Sequence, residues 1–91
     1  MRALRWRPMA LADREAIMAY IAQDNPVAAI DLDLAFEAQA ESDRQRTTLY
    51  KPGRMKGARE IVVLPNYVMV YRVSPESVEV LRALHAAQQW P

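Results

Sequence analysis

The chain has 91 residues, 52% of them apolar, and a net charge of +1. That length makes one small domain, 1–91, which buries roughly 60–65% of the surface its unfolded chain would expose. It contains no cysteine and a single histidine, which excludes disulfide frameworks, thiolate metal sites and histidine-rich metal clusters, so no metal or cofactor is expected. The basic start "MRALRWRPMA" lacks an apolar run long enough for a signal peptide. Nowhere do about 18 apolar residues run together. A soluble, cytoplasmic protein without a membrane contact is the expectation.

"RALRW" alternates polar and apolar side chains up to Pro8 and reads as a short strand. Pro8 suits the first turn of a helix, where its missing N–H costs nothing. From Met9 to about Gln23, Leu11, Ile17, Met18 and Ile21 recur at helical spacing. "QDNP" ends this helix, because the residue before a proline is pushed out of the helical region, and Asp24 or Asn25 can cap the next one. A second helix follows from Pro26 to about Arg46. Its apolar row is Val27, Ile30, Leu34 and Ala38, broadened by Ala29, Leu32 and Phe36, with Asp31, Asp33, Glu37 and Glu41 on the wetter side. So short a connection predicts an antiparallel helix hairpin.

"TTLYKPGRMKG" lacks periodicity and reads as a loop. The period then becomes two, which predicts strands at 59–64, 67–73 and 78–84 in an antiparallel meander. The fold class is therefore α+β, a two-layer β-α-α-β-β-β arrangement with a helix hairpin packed on a small antiparallel sheet. The face away from the helices is expected to be open and framed by the basic loop.

The near-neutral total hides a segregation of charge. Residues 13–43 carry eight acids against one base, Arg14, whereas residues 44–59 carry six bases (Arg44, Arg46, Lys51, Arg54, Lys56, Arg59) and no acid. Such a block gives a neutral protein one positive face. Arg82 lies in the apolar run "VLRAL", where a cation needs a counter-ion; an acidic partner side chain, Glu79 or Glu37 would supply it. Trp90 offers a large apolar surface and an indole donor, for packing on the sheet or for a partner.

The C-terminal half resembles the RelE/ParE superfamily of bacterial toxins from type II toxin–antitoxin modules, and within it ParE-type toxins most. The resemblance rests on Gly57, Arg59, Glu60, Ile61 and Val62; on Pro65-Asn66-Tyr67; on Val70-Tyr71-Arg72-Val73; on Val78-Glu79-Val80; and on His85, Ala86, Gln89, Trp90 and Pro91. "ALAD" at 10–13 and "YIAQDNPVAA" at 20–29 add a more generic match. The resemblance implies one of two actions: poisoning of DNA gyrase, as ParE-like members do, or ribosome-dependent cleavage of messenger RNA, as RelE-like members do. It also implies a cognate antitoxin, in a hetero-oligomer whose antitoxin binds operator DNA.

Cutting RNA through its 2′-OH needs a proton acceptor, a proton donor and cations for the charge on phosphorus. The candidates are His85 as acid or base, Glu60 as base, and Arg54, Lys56, Arg59, Arg72 and Arg82 as cations. RelE-like nucleases resembling this chain carry an arginine where "NYVMVYRV" has Val68, and valine has no charge to offer a phosphate. The expected antitoxin- or target-binding set is Arg54, Lys56, Arg59, Arg82 and Trp90.

Overall fold

The computed structural model describes residues 2–45 and 57–88. In chain order it contains β1 (Ala3–Trp6), α1 (Pro8–Ala22), α2 (Pro26–Gln45), β2 (Arg59–Leu64), β3 (Tyr67–Val73) and β4 (Ser77–His85). Pro8 opens α1 as its first helical residue. Asn25 caps α2, its Oδ1 accepting the Ala28 N–H at 3.0 Å. The two helices form the expected hairpin.

The sheet order is β1-β4-β3-β2. The β2-β3-β4 meander is antiparallel, with Arg59 opposite Tyr71 and Tyr67 opposite His85. β1 instead runs parallel to β4, Leu4 opposite Val78 and Trp6 opposite Val80, so the sheet is mixed and not wholly antiparallel. The reason is topological. The chain enters β2, after the helices, in the direction of β1, and two antiparallel reversals then give β4 that same direction, so β1 at the edge beside β4 lies parallel to it.

The main core lies between the helices and one face of the sheet: Ala10, Leu32, Phe36 and Ala40 meet Met69, Tyr71, Val78, Val80 and Ala83. This corrects the apolar row expected for α2. Ala29, Leu32, Phe36 and Ala40 face inward, whereas Val27, Ile30 and Leu34 are more than half exposed. α2 is apolar over a wider arc than the sheet can cover, and the stripe holding its one aromatic ring is the one that docks. Nor is the opposite face of the sheet bare. Ala58, Val68, Val70 and Leu84 form a second buried cluster there, with Leu81 beside it.

Arg14, the one base among the acids, joins three elements. Its Nε donates to Asp33 Oδ1 at 2.8 Å, and its Nη2 donates to Asp33 Oδ2 at 2.9 Å and to Glu37 Oε1 at 3.0 Å. Its guanidinium carbon sits 4.5 Å from the centre of the Trp6 ring. Burial works against the charge, but the hydrogen bonds and then the attraction of Asp33 and Glu37 outweigh it and raise the pKa above its ordinary value. Arg14→Ala leaves Asp33 half-buried without its cation and is expected to cost about 3 kcal/mol in urea unfolding.

Candidate functional site

His85 ends β4 at the rim of the helix-side layer. Its ring meets Tyr67 edge-on at 5.2 Å, and Tyr67 meets Phe36 in the same manner at 6.3 Å. Together with Ala16, Ile17, Tyr20 and Gln88, the His85 and Tyr67 rings line an open pocket of about 360 Å³. His85 Nδ1 accepts the Ala87 N–H at 3.1 Å, an arrangement that leaves the proton of the neutral imidazole on Nε2. The histidine is exposed, and apart from Gln88 the pocket around it is aromatic and aliphatic.

Arg82 is held elsewhere. It sits opposite Val70, just past the point where the β3–β4 register shifts. Its Nε and Nη2 donate to Asp13 of α1 at 2.6 and 3.0 Å, and Asp13 Oδ2 also accepts the Ala83 N–H at 3.0 Å. The counter-ion is therefore Asp13, not Glu79 or Glu37. β1 pairs with β4 only as far as Val80, so the β4 edge beyond has a free N–H, and the first turns of α1 bring a carboxylate to it. The hydrogen bond to Asp13 raises the Arg82 pKa, against the opposing effect of burial. The adjacent acid and base of "ADR" were visible in the sequence; that they reach partners 69 and 19 residues away was not.

Arg72 is exposed and stands opposite Glu79. Arg59 begins β2 opposite Tyr71, half-buried, its Nη1 out of solvent and without a hydrogen-bond partner among the described residues. Val68 is 6% exposed within the second apolar cluster, a core valine. Arg54, Lys56 and Trp90 lie outside the described residues.

The register gives the separations. His85 pairs with Tyr67 and Arg59 with Tyr71, four positions along β3, or about 13 Å at strand spacing. Arg72 lies a further position away and Arg82 three positions back along β4, about 10 Å from His85. The structure therefore spreads His85, Arg59, Arg72 and Arg82 over both ends of the sheet and does not bring them together. Glu60 sits opposite Val70, between the two ends. Among the described residues no group of three or more histidines and carboxylates is placed to hold a metal. No described helix is long and apolar enough to cross a membrane.

This two-layer fold, a helix hairpin against a mixed four-stranded sheet, is that of the RelE/ParE-like toxins. The model of the ParE toxin of the type II toxin–antitoxin system parDE matches residues 4–90. The chain belongs to that family. Toxin RelE2 of Caulobacter vibrioides is 39% identical over 85 residues, covering 91% of this chain and 93% of its own. Y4kP of Sinorhizobium fredii is 36% identical over 92 residues, covering 99% of this chain and 94% of its own. In fold, the chain superimposes on the chromosomal ParDE system from P. aeruginosa with a TM-score of 0.82 at 20% identity, covering 93% of this chain and 96% of that one. It superimposes on YafQ from E. coli with 0.61 at 14% identity, covering 96% of each.

One buried group has no role in these contacts. Asp43, in the last turns of α2, is fully buried; Gln39 donates to its Oδ1 at 3.1 Å, and its Oδ2 has no hydrogen-bond partner among the described residues. Desolvation raises its pKa to about 6, only partly offset by the Gln39 hydrogen bond. The folded protein thus holds a proton that the unfolded chain has lost between pH about 4 and about 6. Asp43's contribution to stability is therefore fully present below that window and lost as pH rises through it. Asp43→Asn, neutral at every pH, is expected to raise stability by about 2 kcal/mol at pH 8 and to leave it unchanged at pH 3.5, as read by urea unfolding at both.

Proposed function

We propose that this toxin inhibits growth by binding DNA gyrase, without chemistry of its own, and that a cognate antitoxin neutralises it. The dispersal of the described candidate catalytic groups is the observation that supports this reading. Proton transfer and charge stabilisation on one phosphate need groups within hydrogen-bond reach of it. His85 is about 10 Å or more from each described arginine considered for that role. Arg82 is occupied by Asp13, and the strand position where a resembling nuclease carries arginine holds a buried valine.

The second reading is a RelE-like, ribosome-dependent messenger RNA interferase, favoured by the name of the 39% identical relative, Toxin RelE2. It would use exposed His85, with Arg54 from the basic stretch.

The antitoxin is the partner that the basic stretch suits: acidic side chains meeting Arg54, Lys56 and Arg59 would screen the positive face, and Trp90 adds an apolar contact. Among the described residues, Arg59 has a buried guanidinium nitrogen without a hydrogen-bond acceptor. In such a hetero-oligomer, operator DNA would be bound through the antitoxin. Arg54→Glu with Arg59→Glu is expected to weaken the toxin–antitoxin complex at least tenfold by calorimetry, and unchanged affinity would place the docking site elsewhere.

Pulse-labelling after inducing the protein without antitoxin tests the action itself. DNA synthesis is expected to stop before protein synthesis, purified gyrase to lose supercoiling activity, and His85→Ala to remain toxic. Early arrest of translation with cut messages, abolished by His85→Ala, would replace gyrase binding by RNA cleavage.

A further inference from the structure

The face of the sheet away from the helices carries a set of arginines towards the start of β4, at the end opposite His85. Alternation places them there. Leu4 and Trp6 of β1 and Val78 and Val80 of β4 pack on the main core, so Arg5 and Glu79 between them take the outer face. On β3, Arg72 shares the side of Val68 and Val70, which belong to the outer cluster. Register then brings the three together: Glu79 stands opposite Arg5 on one neighbouring strand and opposite Arg72 on the other. Arg7, two residues past Arg5, donates from Nη1 to Glu79 Oε2 at 3.2 Å and is itself exposed. One carboxylate thus has three arginines around it. Arg5 and Arg72 are exposed and form no ion pair among the described residues. The β3–β4 turn beside them adds one charge of each sign, Arg2, whose Nε donates to the Ser74 carbonyl at 3.0 Å, and exposed Glu76. The local surplus therefore stays positive.

The patch is bare of large apolar side chains: those exposed among the described residues lie on α1, α2 and β2. A protein partner asks for an apolar centre to its interface, whereas contacts to a phosphate backbone need only donors and charge. The cations are all arginine, whose planar fork matches phosphate oxygens two at a time. Adjacent strands lie about 4.8 Å apart, which puts the Arg5 and Arg72 backbones about 10 Å apart across Glu79. That spread suits successive phosphates of one strand better than a single small anion. We propose that this face binds the sugar–phosphate backbone of duplex DNA through Arg5, Arg7 and Arg72, without reading sequence. The choice of DNA over RNA rests on the gyrase reading, because a protein held on DNA gyrase lies beside DNA. The contact uses no residue of the basic stretch before β2. Glu79 moderates it, holding Arg7 and repelling phosphate.

The test is fluorescence anisotropy of a short labelled DNA duplex of mixed sequence, titrated with the full chain over a series of salt concentrations. The parent is expected to bind, and to bind more weakly as salt rises. Arg5→Ala with Arg72→Ala should lower the affinity at least tenfold at low salt and reduce the slope of log affinity against log salt by about two. Glu79→Gln should act in the opposite direction and tighten binding about threefold, a gain that a misfolded chain would not show. Arg46→Ala with Lys51→Ala removes the same charge elsewhere and should cost far less than the Arg5 and Arg72 pair. No binding of DNA, an equal loss from the Arg46 and Lys51 pair, or tighter binding of a single-stranded RNA or a glutamate-rich peptide would each overturn the proposal. Supercoiling by purified gyrase is read separately. A chain that inhibits gyrase without binding DNA sinks this contact alone, and one that binds DNA through these arginines but leaves gyrase active bears the contact out and sinks the gyrase reading.

Discussion

The described structure depends on one buried cation. Arg14 lies against the Trp6 ring from β1 while its nitrogens bond Asp33 and Glu37 of α2, so a single side chain fixes the first strand, the helix that follows it and the next helix to one another. Both helices are rich in alanine, which propagates helix but buries little area per residue. A hairpin of this composition has limited apolar contact between its members. Arg14, itself only 9% exposed, compensates through hydrogen bonds to Asp33 and Glu37 that fix the relative placement of the helices.

Asp13, next in sequence to Arg14, does the corresponding job for the sheet. It closes the β4 edge where β1 stops and takes Arg82 as its counter-ion. An acid and a base adjacent on α1 thus lock the helix layer to the sheet on one side and to itself on the other. This arrangement removes Arg82 from the pool of free cations, and that bears on function more than any absent residue does. With Arg82 neutralised and Val68 in an apolar cluster, the cations for a phosphate to be cleaved would have to come from the basic stretch of 44–59 and from Arg59 at its end.

Charge is segregated along the chain: an acidic, partly apolar hairpin is followed by a basic stretch of sequence before β2, and the two nearly cancel to a net charge of +1. Asp43, buried near the end of the acidic helix, has one carboxylate oxygen without a hydrogen-bond partner among the described residues, and desolvation raises its pKa to about 6.

Much of this was determined by sequence alone. The strand periods at 59–64 and 67–73, the proline that opens α1, a cap at Asp24 or Asn25 and the block of like charge are local properties, set by side-chain alternation, backbone restriction and composition over a few residues. The family, too, was legible, because its motifs sit on those same strands. What only the tertiary structure decided is which neighbours meet. Two apolar stripes on α2 satisfied the same helical spacing, and only docking of Phe36 against Tyr67 chose between them and left Val27, Ile30 and Leu34 outside. The partner of Arg82 lies 69 residues away, beyond anything spacing can report. The parallel placement of β1, the bulge before Arg82 and the separation of His85 from the arginines follow from register between strands. Register is a property of pairs, and no single strand carries it.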